Sequence, residues 1–232
     1  MTEQEWRQCE NVEVMLSSLG GKATERKTRL FAVACTRRIW HLLSDGWAKE
    51  AVELAERFAD GRATEQEREN AHAIGLERPV DWEENEPLAA ALGTLAKANP
   101  QYDGPTPLFA GAFATATAAA SALADAGSNG RRGSPAWQVE LERAEQSQLA
   151  MLRDIFGPTP FRPIAIDPSL LTTTVVKLAN AIYSERAWDR VPVLGDSLEE
   201  AGCTNQEVLQ HCRRPGPHVR GCWVVDLVLK KE

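Results

Sequence analysis

Twelve residues near the C-terminus, HCRRPGPHVRGC at 211–222, hold two of the chain's four histidines, two of its five cysteines and three arginines. With Cys203 just upstream, the set Cys203, Cys212, His218 and Cys222 offers the thiolate and imidazole donors that zinc takes in a tetrahedron. Such a Cys3His set fills all four positions, so it would brace the fold and leave no place for a substrate. On a helix running through HVRGC, His218 and Cys222 are four apart and share one face. No CxxC knuckle accompanies them, and the alternative is a helical corner in which the cysteines pack as small apolar side chains. A third reading uses the same stretch as an anion grip. Arg213, Arg214 and Arg220, with His211, surround a Pro-Gly-Pro turn that feeds a helix N-terminus, which suits phosphate or carboxylate oxygens. Against it, these arginines could pair with the acids of DSLEEAG and merely solvate the surface.

Weaker candidates lie elsewhere. Glu69 and His72 form half of the Glu-x-x-His motif of di-iron bundles, but no second half is present. His41 and Asp45 could orient an imidazole, with no nucleophile beside them. Glu185, Arg186, Asp189 and Arg190 read as an ion-pair cluster at a helix end. No G-x-S-x-G, H-E-x-x-H or Cys–His dyad occurs in a recognisable context, so no catalytic residue is assigned and the balance leans away from an enzyme.

The elements that must position these groups are helical. Thr24 caps a helix that runs through HLLSD, with Phe31, Cys35, Ile39 and Leu42 on one face and Arg37 and Arg38 toward water. Gly46 interrupts it, a second helix ends at Gly61, and TEQE at 64–67 opens a third with a capping box. The stretches at 77–87 and 99–107 read as connections flanking a short helix. An Ala-rich helix covers 108–124, GSNGRRGS at 127–134 reads as a linker, and a long amphipathic helix follows with Leu141, Leu149, Leu152 and Phe156 toward the core. The prolines after Phe156 impose an extended segment with at most one short strand near 161–166. Asp167 before Pro168 is a helix start, and three more helices end the chain. The expectation is an all-α array or bundle of nine to ten helices. It divides into an acidic N-terminal region 1–126, the linker, and a C-terminal region 135–232, which could pack as one domain.

Hydrophobic residues at 43% and charged residues at 25% are ordinary for a globular protein. Residues 1–126 carry 13 Lys and Arg against 20 Asp and Glu, a balance that disfavours a nucleic-acid partner. The N-terminus has no basic region before an apolar run, so it does not read as a signal peptide. The uncharged 108–124 stretch is rich in Ala, Thr, Ser and Gly, which supply little transfer energy, so it reads as a buried helix and not a membrane span. Five cysteines, an odd number, point to a reducing cytoplasm.

Several stretches together resemble an uncharacterised family of bacterial helical proteins with no assigned activity. They are MTEQEWRQC, RKTRLFAVACTRRIWHLL, AVELAERFADG, the run from LRDIFGPTPFRP to LEEAGC, and HCRRPGPHVRGCWVVDLVL. Members of that family carry paired cysteines where this chain reads Cys35-Thr36. The resemblance implies no mechanism. The expectation is therefore a soluble protein-interaction or adaptor module with a zinc site in its C-terminal region, and Trp40, Trp188 and Trp223 are the aromatics to inspect for a partner surface. The competing expectation is an enzyme or small-anion-binding protein using the C-terminal His/Arg cluster.

Overall fold

The computed structural model describes residues 1–78, 85–96 and 107–231. Among the described residues the chain is all-α, with twelve α-helices, two 3-10 turns and no strand. The helices exceed the nine to ten expected because short, well-capped segments stand alone. At the N-terminus α1 (Glu3–Gln8) is opened by a Thr2–Glu5 capping box, and α2 (Val12–Ser18) by the Asn11 side chain accepting from the Val14 N–H. The connections expected at 77–87 and 99–107 lie mostly outside the described residues.

Two compact units emerge, Met1–Leu149 and Ala150–Glu232. The division falls inside α8 (Pro135–Phe156). The 127–134 stretch ends α7 (Pro107–Gly127) and turns into α8 within the first unit.

In the first unit α3 (Glu25–Arg38) packs against α4 (Gly46–Ala59), α6 (Glu86–Thr94) and α7, while α5 (Glu65–Leu76) lies against α4 and α6. Being surrounded, α3 is buried all round from Thr28 to Thr36 and not along one stripe. It stops at Arg38, so Ile39 and Leu42 fall in the turns that follow. Asp45 caps α4 by accepting from the Trp47 N–H, and also pairs with Arg78, so it does not orient His41.

Small residues let α6 and α7 approach closely. Ala112, Ala116, Ala119 and Ala120 of α7 are buried, and no helix among the described residues is long and apolar enough to cross a membrane. A methyl group on Gly93 would lie 2.0 Å from Thr115 Oγ1 and 3.3 Å from its Cβ. Gly93→Ala must therefore push α6 from α7 or turn a fully buried threonine, and it should destabilise the protein by about 1–3 kcal/mol. Urea denaturation checks this; a loss under about 0.5 kcal/mol would mean that the contact yields freely.

In the second unit Pro158, Pro160 and Pro163 remove backbone donors. Phe161 and Arg162 still belong to the turn after α8, both donating to the Pro158 carbonyl, while 163–166 runs on without pairing as a strand, and Ile164 and Ile166 tuck against the apolar core. Asp167 caps only the 3-10 turn Pro168–Leu170; Thr172 is the cap of α9 (Thr173–Glu185). After a second 3-10 turn, Trp188–Arg190, come α10 (Val191–Glu200), α11 (Gln206–Arg213) and α12 (Trp223–Leu229). The last helix starts later than the sequence suggests. Residues 214–222 form turns, Gly221 takes the left-handed φ of 95° that favours glycine, and Cys222 stands at the N-cap.

Candidate metal centre

The last turn of α8 carries an acid where a helix disfavours one, since negative charge there opposes the C-terminal dipole. Around it Leu152, Ile155 and Phe156 are core residues, and Asp154 itself is 0% exposed. A carboxylate so placed must find specific partners. Its Oδ1 lies 2.7 Å from His218 Nδ1 and 3.1 Å from His211 Nε2, and Oδ2 accepts from the Val219 N–H at 2.9 Å. Arg214 Nη2 approaches Oδ1 at 3.6 Å.

Each remaining group is delivered by local structure. Val208, Leu209, His211 and Cys212 form the buried face of α11, so the imidazole of His211 enters the core with its apolar neighbours. The turns after Arg214 bring His218 back to the same place. Cys222, at the N-cap of α12, sends Sγ to 3.2 Å from His211 Nε2 and 3.9 Å from His218 Nδ1. One donor atom from each of Asp154, His211, His218 and Cys222 thus lies within 4.8 Å of every other. Around a tetrahedral zinc the ligand atoms stand about 3.3–3.7 Å apart, given the usual zinc–nitrogen and zinc–sulfur bond lengths. The observed spacings run from 2.7 to 4.8 Å and bracket that range.

Burial dominates the electrostatics. Desolvation alone would raise the Asp154 carboxyl, but hydrogen bonds from His211 and His218 outweigh it and hold the group well below the usual carboxylate range. Burial pushes the His211 imidazole down, against the pull of Asp154, so the ring is neutral. The Cys222 thiol is pushed well up, first by burial and then by the Asp154 charge. A buried, protonated thiol is a poor nucleophile, so the Cys222–His211 contact does not make a cysteine-protease-like dyad.

Trp223 completes the shell. Its indole N–H donates to His211 Nδ1 at 2.8 Å. An indole nitrogen can only donate, so Nδ1 is the unprotonated nitrogen and Nε2 carries the proton toward Asp154.

The sequence candidates distribute unevenly. His218 and Cys222 meet in the cluster, but through turns and not along one helix face. Cys203 and Cys212 stay outside it, buried in the apolar core of the second unit, where burial raises the Cys212 thiol to about 12. Their place is taken by His211, expected with the arginines, and by Asp154, which sequence reasoning missed. Of the anion-grip residues, Arg213 is engaged by Asp196 and Glu199 of the DSLEEAG stretch. Arg220 donates to the Tyr183 carbonyl and lies over its ring. The anion that His211 and Arg214 do face is the protein's own Asp154. Glu69 turns to Arg68. Trp40 is half-buried under Arg37 and Lys49, Trp188 is half-buried against Tyr183, and Trp223 is buried. All five cysteines are free thiols.

Comparison of the chain with protein-family models, with curated proteins and with solved structures returns no match. Fold and site thus define the class by themselves: an all-α protein with a buried Asp/His/His/Cys cluster able to hold a metal ion.

Proposed function

We propose that this is a helical binding protein whose second unit is braced by a zinc ion held by Asp154, His211, His218 and Cys222. The reading rests on one observation: donors from α8, α11, the 214–222 turns and the α12 N-cap, all four residues buried, converge within 4.8 Å of one another. Oxygen, nitrogen and sulfur donors in these proportions suit zinc, and four protein ligands leave no open coordination position. When bound, the ion supplies charge neutralisation and a cross-link. Asp154 fixes both imidazoles, and Cys222 anchors the start of α12. No residue is thereby poised for a reaction, which favours action through a protein partner over catalysis.

A second reading is favoured by Trp223. A neutral imidazole has one lone pair, and the indole N–H occupies that of His211. Zinc at Nε2 requires this hydrogen bond to break; without metal, the same four residues are a self-satisfied polar network.

Metal content per chain, in protein purified without chelator or histidine tag, separates the two. Zinc near one per chain that falls severalfold in Cys222→Ser is expected. It should also be released on acidification, as protons compete with the metal for its ligands. Metal-free wild type, with the His211 Nε2–H tautomer visible by nitrogen NMR, would establish the network instead.

A further inference from the structure

We infer that Arg214 is a built-in competitor for the metal: its guanidinium and the bound cation share the Asp154 carboxylate, so Arg214 weakens metal binding while supporting the metal-free fold. This rests on the zinc reading above. Arg214 Nη2 stands 3.6 Å from Asp154 Oδ1, the same oxygen that both histidines approach. Asp154 is fully buried, and the two imidazoles and the Val219 N–H approach it as hydrogen-bond partners. Among the groups placed at this carboxylate, Arg214 is the one that carries a permanent positive charge.

A divalent cation at the cluster reverses the role of Arg214. A divalent ion with one carboxylate and one thiolate sums to zero charge, so when the ion enters and the Cys222 proton leaves, Arg214 loses its net negative partner and meets one added positive charge at short range in a poorly solvated site. Arg214 can yield where the ligands cannot. Its side chain is 35% exposed, whereas that of Asp154 is 0% exposed and those of the histidines 5%. It is also the C-cap residue of α11, with extended backbone (φ −65°, ψ 142°), so releasing the side chain to water leaves the helix intact. The neighbouring Arg213 is a built-in comparison, since Asp196 and Glu199 hold it at the surface. The centre is thus exchangeable: an internal cation takes part of the metal's place when metal is scarce.

The sign pattern tests this. Arg214→Gln keeps reach and hydrogen-bonding capacity but removes the charge. In the full-length protein it should lower the unfolding midpoint measured in chelator, and yet tighten zinc binding about tenfold in competition with a chromogenic chelator at low salt, the size expected of one partly screened charge contact. The tightening should shrink in 1 M salt. Arg214→Lys, which keeps the charge, should stay within about threefold of wild type, and Arg213→Gln should bind zinc as wild type does. A purely structural role for Arg214 would weaken both stability and zinc binding. Unchanged or weaker zinc binding in Arg214→Gln, with wild type binding zinc normally, overturns this inference alone. A wild type that takes up no zinc overturns the centre and the inference together.

Discussion

Asp154→Ala is expected to destabilise the full chain by about 3–5 kcal/mol in chelator, the range for removing one partner of a buried charged network, and to abolish zinc retention. The size follows from what the carboxylate satisfies. It accepts the His218 Nδ1–H, the His211 Nε2–H and the Val219 N–H, and it faces Arg214. Alanine takes that acceptor from three donors, two of them on buried imidazoles and one of those left with only the Cys222 sulfur, at about 1–3 kcal/mol each before relaxation, and opens space where water can restore part of the loss. Asp154→Asn refines the argument. Its amide oxygen can replace Oδ1 for the two histidines, but its NH2 group then points at the Val219 N–H, donor against donor. The asparagine variant should therefore lose about half as much as alanine, and still lose zinc affinity for want of charge. Urea denaturation followed by tryptophan fluorescence, in chelator and in excess zinc, reads both. An alanine variant within about 1 kcal/mol of wild type would mean that the four side chains are not acting as a network.

The contrast between Asp154 and Cys222 explains what the sequence could reveal about this site. Cysteine and histidine within one short stretch announce themselves by type, so His218 and Cys222 were legible. Asp154 belongs to α8 and reaches the others only through tertiary packing, and aspartates are common in any sequence. One signal was available: an acid in the last turn of an amphipathic helix, among Leu152, Ile155 and Phe156, where both burial and the helix dipole oppose it. Cys203 and Cys212 part from this cluster for a related reason. Cys203 and Cys212 are close to His211 along the chain, but α11 turns Cys212 into the apolar core together with Val208 and Leu209, and spacing alone does not tell a ligand from a packed thiol. The helical class, by contrast, was carried by local signals. Thr24 and Thr64 cap the helices they precede, because capping needs only residues within a turn of one another. Where a boundary depended on backbone conformation, as at Gly221 before α12, the helix-like spacing of His218 and Cys222 misled.

In the first unit the largest expected loss is at Arg29 and Arg68, which grip the same helix end from opposite helices. Arg29 of α3 donates to the carbonyls of Thr94 at 2.7 Å and Ala96 at 3.0 Å, and Arg68 of α5 donates to that of Leu95. These are the carbonyls of the last residue of α6 and of the two that follow it, a helix end where positive charge is favoured. Both guanidinium groups lie near the Phe58 ring, at 4.9 and 5.8 Å, and both side chains are almost fully buried. Burial lowers the Arg29 pKa against the pull of Glu25, so the charge is held at a real desolvation cost. Glu25 and Glu65 at the protein surface complete the pairing, Arg29 to Glu25 at 2.6 Å and Arg68 to Glu65 at 2.8 Å. Arg29→Ala should cost about 3–5 kcal/mol, through orphaned carbonyls and the lost packing of the long side chain. Arg29→Lys keeps the charge but cannot fork to two carbonyls and a carboxylate at once, and should still lose about 1–2 kcal/mol. The double variant Arg29→Ala with Arg68→Ala decides whether the two act on one element. If they clamp α6 jointly, the first truncation already frees that helix end, and the second adds less than its separate loss. Unfolding free energies that simply add would mean that the two arginines stabilise independent parts of the unit, with α6 held mainly by its alanine contacts to α7.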